Sequence, residues 1–147
     1  MMNSKGITLI ELLVVVTIVG ILLTMGTIGY RRLSVKANVE SDTRQILAVT
    51  NMARQYSFTR KVTLKVSVDE KVIKIIDTAG NDYEGLSITA KTPFETEEDI
   101  TFTGGFSTVT GMIRSSAEDS GAEYDCVLYE ANSVSAGKYD GENCNVR

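Results

Sequence analysis

The sequence predicts an α+β fold: one long N-terminal helix, its first half transmembrane and its second half amphipathic, packed on an antiparallel β-sheet domain. Three observations carry this. Residues 7–30 form a run of 24 residues with a single charge, Glu11. Residues 31–58 contain no Gly or Pro and repeat apolar residues at helical spacing. After Phe58 the period drops to two, with Val62, Leu64, Val66 and Val68 alternating with Thr63, Lys65 and Ser67.

Residues 1–6, MMNSKG, are a short polar leader with one base, Lys5. A secretory signal would continue with about 7–15 apolar residues and a small-x-small cleavage site. Here the apolar run is longer and no A-x-A follows, so it reads as a span that stays attached. At about 1.5 Å per residue a helix over 7–30 is roughly 36 Å long, against a bilayer core of about 30 Å. The helix continues over 31–59, with Val35, Val39, Ile46, Val49, Ala53 and Tyr56 on one face and Leu47 and Met52 beside it. Gly20, Gly26 and Gly29 weaken it and mark points of bending or partial melting.

The β domain occupies 60–147. Strands are expected at 62–68 and 72–77 around the turn Asp69-Glu70-Lys71, and near 83–90. A loop holding Pro93 and the acidic run Glu95, Glu97, Glu98 and Asp99 leads to a strand at 100–102, which Gly104-Gly105 breaks. Further strands are expected at 109–114 and 124–131, the latter with Tyr124, Cys126 and Leu128 on one face. A polar tail, turn-rich at Gly137, Gly141 and Asn143, closes the sequence.

Composition narrows the chemistry. With 147 residues, 43% apolar and 23% charged, the chain suits one globular core and excludes wholesale disorder. It has no His and no Trp, which excludes a His-based triad, a His-ligated metal and imidazole acid–base catalysis. Two thiols without an imidazole make a poor zinc site, and a disulfide between Cys126 and Cys144 is the simpler reading. Gly104-Gly105 lacks the Gly-Lys pair of a phosphate loop. The run 95–99 lacks the spacing of a calcium loop and reads as a solvated loop. No cofactor, metal or catalytic motif emerges. Residues 31–74 carry net +6 and residues 75–147 net −10, for a total of −4. That total argues against a nucleic-acid partner, and no pattern of aromatic residues through the basic segment marks a strand-binding groove.

Glu11 is costly in an apolar helix, about 2.5–3.5 kcal/mol at a bilayer centre and less near an end. It reads either as an interfacial residue of an ordinary anchor or as a carboxylate awaiting a positive group from a neighbouring chain. The junction Gly6-Ile7-Thr8-Leu9-Ile10-Glu11, with its basic leader and apolar run, resembles the N-terminal signal of type IV pilins and type II secretion pseudopilins. The resemblance implies cleavage by prepilin peptidase between Gly6 and Ile7, N-methylation of Ile7, and subunit assembly through Glu11. Two residues depart from the family pattern: Ile7 stands where Phe is usual, and Ile28 where a helix-kinking Pro is frequent. Lys5 before the span, against Arg31, Arg32 and Lys36 after it, would by charge alone leave the C-terminus in the cytoplasm. The resemblance implies the reverse, an inner-membrane protein with its globular domain in the periplasm or outside, and a structural disulfide agrees with that compartment.

A second resemblance covers Met52-Ala53-Arg54-Gln55, Arg60-Lys61-Val62-Thr63-Leu64, and Ile100-Thr101-Phe102 with Gly104-Gly105. These are similar to the helix-to-strand junction and I-x-F…G strand of the minor pseudopilin H family and the related T-type minor pilins. The implied function is a minor structural subunit, not an enzyme, of a type II secretion pseudopilus or a type IV pilus. Its partners would be prepilin peptidase, other pilin or pseudopilin subunits, an inner-membrane assembly platform, and lipid before assembly. Two alternatives stay open: a DNA-binding minor pilin at a pilus tip, and a plain single-pass anchored domain. The Arg-rich tail of DNA-binding T-type pilins has no counterpart here.

Overall fold

The computed structural model describes residues 8–117 and 120–146, apart from the side chains of residues 24–28. The expected leader, the scissile Gly6–Ile7 bond and the methylated Ile7 therefore lie outside the described residues. One helix, α1 (Leu9–Arg60), is followed by ten strands: β1 (Leu64–Asp69), β2 (Val72–Ile76), β3 (Ile88–Thr89), β4 (Phe94–Thr96), β5 (Ile100–Thr103), β6 (Phe106–Ser107), β7 (Gly111–Ser115), β8 (Cys126–Tyr129), β9 (Val134–Tyr139) and β10 (Cys144–Val146). The helical backbone is unbroken through Gly20, Gly26 and Gly29. It ends where Lys61 turns left-handed, at φ 57°, a conformation more often given to glycine at a helix end.

The chain divides into two compact units, 1–34 and 35–147. In the first, every large apolar side chain described from Leu9 to Leu23 is exposed, Leu9 at 82%. Among the described residues no helix is long and apolar enough to cross a membrane.

The second unit joins the rest of α1 to two antiparallel sheets. One has strand order β3-β2-β1-β5-β6 and the other β10-β9-β8-β7-β4. Strand alternation sets what is buried: Leu64 and Val66 of β1, Ile73 and Ile75 of β2, and Ile100 and Phe102 of β5 point inward. From the second sheet come Phe94, Ile113, Val127 and Tyr129. Ile46, Val49 and Ala53 of α1 pack into the same cluster, so one helix face serves both sheets. Burial of each large aliphatic or aromatic side chain contributes about 1.5–3 kcal/mol.

The expected helix face is largely the observed one. Val39, Ile46 and Ala53 are fully buried, whereas Val35 and Met52 are exposed. Polar residues share that face, because they bind the β domain. Asp42 Oδ2 accepts bonds from Lys91 N (2.9 Å), Thr92 N (2.8 Å) and Thr92 Oγ1 (2.8 Å), tying α1 to the loop before Pro93.

Three expectations are corrected. The strand near 83–90 shrinks to β3, since Glu84 and Gly85 both adopt positive φ and turn the chain. The acidic loop contains a strand, β4, because Phe94 is drawn into the core. The polar tail is the hairpin β9–β10, paired Cys144 to Tyr139, Asn145 to Lys138 and Val146 to Gly137. Cys126 and Cys144 form a disulfide that joins β8 to β10, the two neighbours of β9. The bridge needs Gly137 beneath it: a Cβ there would lie 3.0 Å from Cys144 Sγ and 2.4 Å from Asn145 O.

Candidate functional site

Two clusters gather the residues singled out by the sequence. The first is the start of α1. Thr8 N and Thr8 Oγ1 each donate to Glu11 Oε2 at 3.0 Å, and Glu11 N donates to Thr8 Oγ1 at 3.3 Å. This is a capping box: Thr8 is the N-cap, Glu11 the third helical residue, and each satisfies donors that the first turn leaves unpaired. A carboxylate at a helix N-terminus also complements the helix dipole. The signature Thr-x-x-Glu was legible in the sequence but was masked there by the apolar run. Glu11 is thus already held in one rotamer beside the chain start, with its other oxygen, Oε1, unengaged by Thr8. Around it Leu9, Ile10, Leu12 and Leu13 are all more than half exposed. Chemically, the end of α1 offers one anchored carboxylate on an apolar, solvent-facing surface. It suits burial against something apolar that brings a positive charge.

The second cluster joins α1 to the turn between β5 and β6. Arg54 Nε donates to Gly105 O at 3.0 Å. Ser57 Oγ donates to Phe102 O at 2.9 Å and accepts from Gly105 N at 3.3 Å. Ala53, fully buried, lets α1 approach. Gly104 and Gly105 both adopt positive φ, 60° and 87°, and a Cβ on Gly105 would meet Phe58 Cβ at 2.7 Å. Ala53, Arg54, Ile100, Phe102, Gly104 and Gly105, far apart in sequence, are therefore one clasp between helix and sheet. Ser57, its pivot, went unnoticed in the sequence because a lone Ser carries no pattern.

The acidic run behaves as separate side chains. Glu95 pairs with Arg114 Nε at 2.9 Å and Asp99 with Lys65 at 2.7 Å. The Lys65 ammonium holds the Asp99 carboxyl below the usual carboxylate range. Among the described residues no three metal-ligating side chains come together.

Comparison with known proteins fits the first cluster. The family model described as the prokaryotic N-terminal methylation motif matches residues 1–27. That match supports a type IV pilin-like protein and indicates processing by prepilin peptidase. The class consists of membrane-anchored structural subunits that assemble with other pilins. No curated protein and no solved structure matches the chain.

Proposed function

We propose that the chain is a minor pilin or pseudopilin, a structural subunit of a type II secretion pseudopilus or a type IV pilus. It is made with the leader 1–6, held in the inner membrane by residues 7–30 with its β domain on the periplasmic side, and cleaved between Gly6 and Ile7. Ile7 is then N-methylated, and the helix moves from lipid into a filament core of similar apolarity. The observation that supports this best is the methylation motif over residues 1–27, which contains the capped Glu11 on a stretch of helix whose described large apolar side chains, Leu9 to Leu23, are all presented outward. In the core, Glu11 meets the α-amine of an adjacent subunit in low dielectric, where a paired charge is strongly held. Apolar packing supplies the bulk of the association and the charge pair sets the register. The clasp of Arg54, Ser57 and Gly105 supports the minor-subunit assignment, since it brings together Ala53, Arg54, Ile100, Phe102, Gly104 and Gly105 from the segments similar to the pseudopilin H and T-type families.

Gly6→Val tests processing. A peptidase cleft that receives Gly6 closely rejects a β-branched side chain, so the variant accumulates as a precursor heavier by the leader. Mass spectrometry of the membrane-extracted protein reads the N-terminus. An unchanged start at Ile7 in the variant, or retention of Met1 in the wild type, would refute the reading.

A further inference from the structure

The clasp leaves an open cleft of about 420 Å³ between α1 and the β5–β6 turn, within the usual size of a ligand pocket. Phe58 and Phe106 are both exposed there, at 56% and 57%. Arg54 spends only Nε on Gly105. Its two terminal amino groups have no partner among the described residues. Lys61, outside the lining, places a second cation 4.8 Å from the ring of Phe58. No acidic residue lines the cleft. One free guanidinium between two phenyl rings suits a single carboxylate with apolar neighbours, and two rings with two cations are too few to track a string of phosphates.

The same molecule carries the complement. In the acidic run Glu95 and Asp99 are neutralised by Arg114 and Lys65, but Glu97 and Glu98 are exposed and form no ion pair among the described residues. They precede β5, whereas Gly104 and Gly105 follow it. A strand of four residues therefore holds the carboxylates and the cleft at opposite ends, roughly 13 Å apart. They cannot meet within one chain, and they can meet between two copies stacked along β5.

We propose that the cleft at Arg54, Phe58 and Phe106 receives the Glu97–Glu98 loop of a second copy in a head-to-tail contact. Such a contact uses different surfaces on the two partners, so one copy is joined to the next without a two-fold axis. The proposal rests on the filament reading for its setting, and its test is separate. The full chain is purified in detergent micelles as an equal mixture of ¹⁴N- and ¹⁵N-labelled protein. It is treated with a carbodiimide, which joins a carboxylate to a lysine amine at zero length. Mixed-isotope crosslinks between Lys61 and Glu97 or Glu98 are the expected product. Their yield falls at least tenfold in Phe106→Ser, whose exposed side chain can be lost without unfolding, and in Arg54→Gln, with melting curves as the folding control. Neither variant removes a crosslinking group. An absent interchain crosslink, or a yield unchanged in Phe106→Ser, overturns the contact. So does binding of a single-stranded oligothymidylate that depends on Arg54 and occurs without the crosslink, since the cleft would then belong to nucleic acid. Loss of this contact with Glu11-dependent assembly intact leaves the filament reading standing. The converse result removes the filament and keeps the contact.

Discussion

Glu11 does two jobs that one substitution separates. In the subunit its carboxylate closes the capping box with Thr8. In the proposed filament the same group is the counter-charge for a neighbour's α-amine. Gln is as good as Glu at the third position of a capping box but carries no charge. Glu11→Gln is therefore expected to leave membrane abundance unchanged while crosslinking to other filament subunits drops tenfold or more. Removing one partner of a buried ion pair costs about 3–5 kcal/mol, and about 1.4 kcal/mol already gives a factor of ten. Equal crosslinking in wild type and variant would reduce Glu11 to its capping role. The importance of Glu11 was legible because a charge in an apolar run stands out. Ser57 and Asp42 were not legible, because a small polar residue on a helix announces neither its burial nor its partner.

At the level of elements, the α1–β5–β6 clasp depends on two adjacent glycines for different reasons. Gly104 needs its positive φ but faces open space, whereas Gly105 needs both its positive φ and its missing side chain. Gly104→Ala therefore carries only the left-handed penalty, about 1–2 kcal/mol. Gly105→Ala adds a collision with the Phe58 Cβ on the helix backbone, where no flexible chain end can swing away. Urea denaturation should show Gly105→Ala as the less stable of the two by about 1 kcal/mol or more, and equal midpoints would contradict the geometry. The sequence shows the glycine pair as a strand break. It does not show that Phe58 of α1 requires the space, since that contact exists only after the sheet has docked on the helix. α1 itself was readable to within a residue or two, from Val39, Ile46, Val49 and Ala53. β9 was hidden because Ser135, Ala136 and Gly137 give no apolar alternation; pairing and the disulfide hold it, not a hydrophobic face.

For the whole molecule, acidity is the relevant stress. Asp77 is held below the ordinary carboxylate range by the backbone N–H groups of Asn81 and Ala79, and Asp140 by those of Asn143 and Glu142. Asp99 is held there by Lys65. A depressed folded-state pKa means that the stabilisation is complete above the unfolded-state value, about 3.9 for Asp, and is lost as pH falls through the folded-state value. The melting temperature should be level from pH 7 to about 5 and fall below about pH 4. A fall already complete at pH 5 would show that other groups govern acid stability. All three carboxylates are largely solvent-facing, so the loss is gradual.

The disulfide has a consequence for how copies of this protein can meet. β10 is three residues long and lies at the rim of its sheet, where a short strand is easily peeled away. Once peeled, β9 would present bare N–H and C=O groups to any passing chain, the usual route to strand swapping and aggregation. The bond from Cys144 to Cys126 bolts the guard strand across β9 to β8, so the rim cannot be lent to a neighbour. Copies are then left to join through side-chain surfaces, which can be made selective, rather than through backbone edges, which recognise any strand. That protection exists only where thiols are oxidised. A chain retained on the reducing side keeps an unbolted rim, and crossing to the oxidising side is the step that makes it safe to crowd.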